Sequence, residues 1–402
     1  MFYICIYLYH NINDFFSFNL KYLCCTGLWV NDKWIKKYKV IYRFYKMVLD
    51  ILSVLYVVIV SIGCYLIRND FALLIENLVK TLVGFNYLLK IIRFSQTCEE
   101  VKDLIKDIMN SGDMIPENLN KIMTMFVVTI YLFTSLIIGS FAFLGAINYE
   151  LPVEVWLPLD TNKSVHNFLI AFQIILLSFT ILQCRAVAMQ GIVCSLIMYL
   201  CEQLDQLQIQ MKCLDFSSGS DNSNVRKEFK AIIKKHARII RYFLQFVFVP
   251  TSITSFLYIF IYRYVKSMRV IFQDFFLIQN LAVTLEMCLN AVMVTSVSLD
   301  LKRFVTFMAF LLVALLNAYL YCYLGNELII KSKRLALVAY ETNWTSWPTI
   351  IQKDLLIIIT VSQRPLFLSA GELAPMSIQT FSQTLYNGYS LFAVLQDVMK
   401  RH

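Results

Sequence analysis

The residues with most to say about chemistry are polar ones set in an apolar stretch near the carboxyl end. In MSIQTFSQTLYNGYSLFAVLQDVMK, Gln383, Asn387, Ser390 and Asp397 follow one another at spacings of 4, 3 and 7. On a helix these positions share a face; Val394 fills the gap in the series and Val398 stands one turn beyond it. A polar group inside a bilayer costs several kcal/mol unless it meets protein or water. Such a face lines either a water-filled path or a seam of interhelical hydrogen bonds. For a water-filled path, the Val394 and Val398 ring would be a hydrophobic constriction able to gate by dewetting, and Asp397 beside it would favour cations. One chain supplies one such stripe, so a path would need several copies around an axis.

Enzymatic chemistry has no visible seat. The sequence contains no GxGxxG, GxxxxGK, GxSxG or HExxH, and His10, His166, His236 and His402 lack metal-ligand spacing. No metal or cofactor is expected. His236 lies in a basic amphipathic segment, where a solvated or interfacial role is expected rather than a catalytic one. The eleven Cys show no CxxC spacing and are expected to be reduced filler.

Two further constellations could line a small-molecule site. Ser135, Gly139, Ala142 and Ala146 form a small-residue stripe at 4-3-4 spacing. Such stripes usually mean close helix packing; the alternative is room for a small ligand, walled by Phe141, Phe143, Tyr149, Phe168 and Phe172. Glu76 and Lys80, at i and i+4, either neutralise each other or help to line that cavity.

The elements that must position these residues are membrane helices. Of the 402 residues 58% are hydrophobic and 16% charged, with only 11 Gly and 7 Pro; mean hydropathy is +0.63. Soluble domains carry about 25% charge, so the expected class is an all-α polytopic membrane protein. A span needs about 20 apolar residues. Met47–Ile67, Ile122–Ile147, Val165–Tyr199, Leu281–Leu299 and Phe304–Leu324 satisfy that, while Phe71–Tyr87 and Met376–Met399 are less pure. An eighth apolar run, Tyr242–Tyr262, is broken by Pro250 and is expected not to cross. The start, MFYICIYLYHNIND, lacks the basic flank and small-residue cleavage site of a signal peptide.

With seven spans, 25 of the 36 basic residues fall on one side: before the first span, in Lys90–Lys121, in Leu200–Arg241 and in Lys331–Arg364. The positive-inside rule then places the N-terminus in the cytoplasm and the C-terminus outside. That sorting accounts for the net charge of +9 without a nucleic-acid partner. It also makes Asn162 of Asn162-Lys163-Ser164 the modifiable sequon, with Asn343-Trp344-Thr345 inside. The cytoplasmic parts are the larger ones. Leu200, Leu204, Leu207 and Met211 continue a helical seam past the fourth span, and VRKEFKAIIKKHARIIRY forms a basic amphipathic helix suited to lipid headgroups.

About the last hundred residues resemble the signature of insect odorant receptors. The resemblance rests on YCYLGNELIIKSKRLALVAYETNWTSWP, IIQKDLLIIITVSQRPLFLSAG and SIQTFSQTLYNGYSLFAVLQ. Matching positions are Gly325, Glu327, Ser332, Tyr340, Trp344, Pro365, Gly371, Phe381, Ser390, Phe392 and Leu395. Gustatory receptors are disfavoured because their TYxxxxxQF ending is absent, a transporter because no internal repeat is visible, and a G-protein-coupled receptor because it needs the opposite topology. The resemblance implies a multi-pass plasma-membrane protein of the olfactory sensory dendrite. It would be the odorant-binding subunit of a ligand-gated cation channel, forming a heterotetramer with a common co-receptor. It implies a volatile-ligand pocket in the outer half of the bundle and a pore lined by the last helix, with the gate on Val394 and Val398. Trp344, Trp347, Leu355, Leu204 and Leu207 would make subunit contacts in the cytoplasmic layer.

The expected organisation follows. Residues 1–46 form a cytoplasmic segment, 47–199 four spans, 200–279 cytoplasmic helices with an apolar insert at 242–268 that departs from the family, 280–324 two spans, 325–374 anchor helices, and 375–402 the last helix with a short outer tail.

Overall fold

The computed structural model describes residues 16–30, 36–110, 116–149, 151, 153, 155–157, 164–214, 222–241, 268–296 and 301–401. Asn162 and residues 242–267, including the Pro250 run, lie outside them, so the sequon and the body of the insert have no structural account.

Ten α-helices are described: α1 (Ser17–Cys25), α2 (Lys36–Leu66), α3 (Phe71–Met109), α4 (Glu117–Asn148), α5 (Val165–Lys212), α6 (Asn222–Arg241), α7 (Met268–Ser296), α8 (Leu301–Tyr340), α9 (Thr349–Ser362) and α10 (Ile378–Arg401). A two-residue antiparallel hairpin, β1 (Ser369–Ala370) with β2 (Ala374–Pro375), pairs Ser369 with Pro375. The seven long helices α2, α3, α4, α5, α7, α8 and α10 take the places of the seven expected spans.

Local chemistry sets where the helices begin. Asp70 caps α3 by accepting from the Leu73 amide at 3.1 Å, and Ser164 caps α5 by accepting from the His166 amide at 3.2 Å. Helix α4 starts after Pro116, which cannot continue a preceding helix, and ends where Tyr149 turns left-handed at φ 53°.

Helices α3, α5 and α8 have 39, 48 and 40 residues. At ~1.5 Å per residue each outruns a hydrocarbon core of about 30 Å. Their carboxyl-terminal halves build a second layer with α6 and α9, with α5 against α6 and α8, and α8 against α9. Leu204, Leu207, Phe229, Leu335, Trp347 and Leu355 are buried there. The apolar face of α6 is therefore directed inward, and His236 is buried beside Ser362, 3.3 Å from its hydroxyl. The expectation of a solvated His236 is corrected by that packing. Burial lowers its pKa from the usual 6.5 to about 4. Polar staples fix the layer too: Lys331 reaches Asp205 at 2.5 Å, and Gln208 donates to the Lys331 carbonyl at 2.9 Å.

Helix α10 packs on α7 and α8 and is aimed by the hairpin. The Gly371 amide donates to the Gln273 carbonyl of α7 at 2.8 Å, the Leu366 amide to Ser332 Oγ of α8 at 3.0 Å, and the Met376 amide to the Leu368 carbonyl at 2.7 Å. Gly325 permits the closest approach: a Cβ there would sit 2.4 Å from the Met376 carbonyl oxygen. Gly371, at φ +58°, supplies the left-handed residue of the hairpin turn.

Candidate functional site

Two sites stand out, one inside the bundle and one on the surface of the subunit. The first is an internal cavity of about 50 Å³ between α3, α4, α5, α7 and α8. Val83, Phe179, Phe310, Val313 and Ala314 give it apolar walls; Asn86, Tyr87, Thr134, Gln183, Gln279, Glu286 and Asn317 give it polar ones. The polar groups are organised. Tyr87 and Gln183 share a side-chain hydrogen bond. Gln190 donates to Asn317 Oδ1 at 2.9 Å, fixing the Asn317 amide. The Lys90 ammonium donates to Gln279 Oε1, lies 4.9 Å from the Phe275 ring centroid, and is within electrostatic reach of Glu286. The Asn86 amide oxygen is buried without a hydrogen-bond partner. An apolar pocket with a few convergent polar groups is the usual form of a small-molecule site.

Lys90 was counted with the basic segment that follows the second span. It is instead 4% exposed within the bundle, because α3 continues to Met109 and turns that residue towards α7. The polar set also carries a helical period in the sequence. Gln279, Glu286 and Asn290 stand at i, i+7 and i+11 along α7, and Asn86 and Lys90 at i and i+4 along α3. Ionisable residues inside a span mark functional interiors by default.

The cavity does not contain the expected ligand residues. Glu76 and Lys80 pair with each other at 2.8 Å. Phe168 and Phe172 are buried and stack at 5.9 Å, with Tyr149 5.8 Å from Phe168. Phe172 and Phe168 sit about two and three turns, roughly 10 and 16 Å, nearer the start of α5 than the cavity residue Phe179. On α4 it is Thr134 that lines the cavity; Ser135 and Ala142 are half-buried, Gly139 and Phe143 exposed. Among the described residues nothing lies within 4 Å of a Cβ built on Gly139, so no described helix approaches it closely.

The second site is α10. Gln383, Asn387, Ser390, Val394, Asp397 and Val398 are all exposed on one subunit, Val394 at 60% and Val398 at 48%. Gln383 donates to Asn387 Oδ1 at 3.0 Å along the stripe. The opposite face is packed: Thr384 is buried, Gly388 lies against Met287 and Thr284 of α7, Phe381 stands edge-on to Tyr319 at 5.5 Å, and Phe392 joins Ile75, Val79 and Val292. One subunit thus offers a polar face with an apolar end to whatever lies beyond it. In the second layer, Leu204, Leu207, Trp347 and Leu355 are buried within the subunit, Trp347 edge-on to Phe229 at 5.9 Å, while Trp344 is half-buried beside Tyr340.

The profile described as 7tm Odorant receptor matches residues 70–389, which include the whole cavity lining and, of the α10 face, Gln383 and Asn387. The chain belongs to the 7tm odorant receptor family. Putative odorant receptor 69a, isoform A, of Drosophila melanogaster is 22% identical over 63% of this chain and 57% of its own length. Odorant receptor 10 of Aedes albopictus is 25% identical over 49% of this chain and 46% of its own, and odorant receptor 94a of D. melanogaster 31% identical over 24% and 25%. The chain spans between a quarter and just over half the length of these curated relatives. The fold is similar to the insect olfactory receptor OR5 from Machilis hrabei, solved in complex with eugenol, at a TM-score of 0.73 and 16% identity, covering 97% of this chain and 99% of that one. Among the described residues five helices, α2, α3, α5, α7 and α8, are long and apolar enough to cross a membrane, and the seven-span, all-α membrane architecture rests on the family and on that likeness.

Proposed function

We propose that the chain is an odorant receptor: the ligand-binding subunit of an odorant-gated, non-selective cation channel, working with a common co-receptor subunit in a hetero-oligomer, by expectation a tetramer. The observation that carries the channel reading is the exposed face of α10, which sets polar side chains beside two exposed valines on a helix otherwise packed into the bundle. The N-terminus is cytoplasmic and the C-terminus outside, and the protein acts in the plasma membrane of olfactory sensory neurons.

An odorant enters at the cavity bounded by Phe179, Gln183, Glu286 and Phe310, which must widen from about 50 Å³ to admit it, with the Phe168 and Phe172 region as its outer approach. Glu286 lies on α7, the helix against which Gly388 of α10 packs, so a ligand-dependent shift of α7 bears directly on the last helix. Binding opens the path only as far as the ligand prefers the open arrangement. The test is co-expression of the full chain with a co-receptor subunit and recording of odorant-evoked cation current across a ligand panel, with epitope tags on both termini. Current that needs both subunits, with the amino-terminal tag inside, is the expected result; an outside N-terminus or signalling without current would overturn the reading.

A further inference from the structure

A second cavity, of about 350 Å³, lies between α2, α3 and α5, away from the odorant cavity and from α10, which packs on α7 and α8. Its polar lining includes Lys46, Asp50, Ser53, Ser95, Gln96 and Arg185. Arg185 is among the most buried side chains of the protein, at 1% exposure. It donates to Asp50 Oδ1 at 2.5 Å and to Ser53 Oγ at 2.9 Å, and its Nε–H is buried with no hydrogen-bond partner. Asp50, by contrast, is 43% exposed, so the ion pair opens onto the cavity mouth. Lys46 adds a second cation to the lining, and among these residues Asp50 is the single anion. The Gln96 carbonyl accepts from Arg93 at 3.1 Å, which leaves its amide N–H groups as the polar edge available to the cavity. The lining is an incomplete anion site: donors in excess, one positive charge uncompensated, and a buried guanidinium N–H unspent.

Three elements agree on its depth. Lys46 immediately precedes the apolar run that starts at Met47. Arg185 is about 20 residues, ~30 Å, from the start of α5, and Ser95 about 24 residues, ~36 Å, from the start of α3. Those rises equal or slightly exceed one hydrocarbon thickness, so the donors sit at a membrane interface, on the side where the basic segments lie. Below them, two exposed aliphatic tracks run into the bilayer: Met47, Ile51, Val54 and Val58 on α2, and Phe85, Leu89 and Ile92 on α3. Val54 and Ile92 belong to both the tracks and the cavity wall.

We propose that this cavity is a binding site for the phosphate headgroup of an acidic phospholipid, with the headgroup anion held by Arg185, Lys46 and Gln96 and the acyl chains lying along the α2 and α3 tracks. Basic pockets between membrane helices are suited to such headgroups. The aliphatic tracks are what favour a lipid over a free anion. Because α3 also carries Asn86, Tyr87 and Lys90, an occupied headgroup site braces the helix that forms one wall of the odorant cavity.

The test uses the purified full chain in detergent, measuring its melting temperature and the lipid it retains by native mass spectrometry after addition of phosphatidylinositol, phosphatidylcholine or inorganic phosphate. Phosphatidylinositol is expected to raise the melting temperature and to be retained; phosphatidylcholine and phosphate are expected to do neither. Lys46→Glu, at the half-exposed rim, is expected to cut retention at least about fivefold, the factor attached to one basic side chain near a headgroup. Lys212→Glu, in the second layer, is expected to leave retention unchanged. Arg185→Lys, which keeps the charge but removes the Nε–H, is expected to weaken retention while preserving folding. Equal protection by phosphatidylcholine or by phosphate alone, or retention unaltered in Lys46→Glu, would overturn the proposal.

Discussion

Two regions of this chain place polar residues on long helices and treat them in opposite ways. Between α3 and α7, Asn86, Lys90, Gln279 and Glu286 are turned inward and buried around a small cavity. On α10, Gln383, Asn387, Ser390 and Asp397 are turned outward and exposed on the single subunit. The sequence spacing is almost the same, since both α7 and α10 carry polar positions seven residues apart on one face. What differs is what packs around them. In the first region a single chain supplies every wall, so the polar groups are satisfied internally or held for a small ligand. In the second no element among the described residues buries the stripe, so its solvation falls to water or to whatever packs beyond it. On the proposed reading the inward set serves ligand recognition and the outward set assembly and ion passage.

The largest expected effect breaks the inward set. Lys90→Met leaves Glu286 and Gln279 buried without their cation and is expected to cost about 3–5 kcal/mol, read as loss of folded protein on size-exclusion chromatography. Lys90→Met combined with Glu286→Leu is expected to recover a large part of it, because both buried charges then leave together. Next comes the device that aims the outward set. Gly325→Ala drives a methyl group into the Met376 carbonyl, a backbone atom that cannot swing away, and is expected to cost ~1–3 kcal/mol or more. Its check is a lowered melting temperature together with loss of evoked current.

A buried titratable group outside the bilayer follows. His236 has its folded pKa lowered by burial to about 4, below the unfolded value of 6.5. The stability it permits is therefore complete above about pH 6.5 and is lost as pH falls from there towards 4, because the unfolded chain then binds the proton more readily. His236→Leu is expected to flatten the melting temperature against pH over that window. The smallest effect on folding belongs to the outward set. Asn387→Leu is expected to change subunit stability by less than about 0.5 kcal/mol, as an exposed position should, while still altering conductance in the assembled channel.

The contrast also explains what could be read in advance. The seven spans, the polar face of α10 and the carboxyl-terminal signature are local features: runs of about 20 apolar residues, a helical period, and glycines at Gly325 and Gly371 that a close approach and a left-handed turn require. The cavity between α3, α4, α5, α7 and α8 is not local. Its wall residues come from five helices, and which of the many apolar and aromatic side chains meet there depends on tertiary packing. Hence the small-residue stripe at Ser135, Gly139 and Ala142 drew attention while the neighbouring Thr134 lines the cavity. Leu204, Leu207, Trp347 and Leu355 carry a similar lesson: an apolar seam records that a partner helix exists, and here α6, α8 and α9 of the same chain bury it.

The most direct test of the account is state-dependent accessibility of the α10 face. Val394→Cys, co-expressed with a co-receptor subunit, would be exposed to a charged, membrane-impermeant thiol reagent with and without an activating odorant, against the unsubstituted chain as control for its native cysteines. The account predicts that modification alters the current and proceeds faster while odorant holds the channel open. Unaltered current and equal reaction in both states, with Glu286→Leu still changing odorant sensitivity, would show that this helix does not line the ion path.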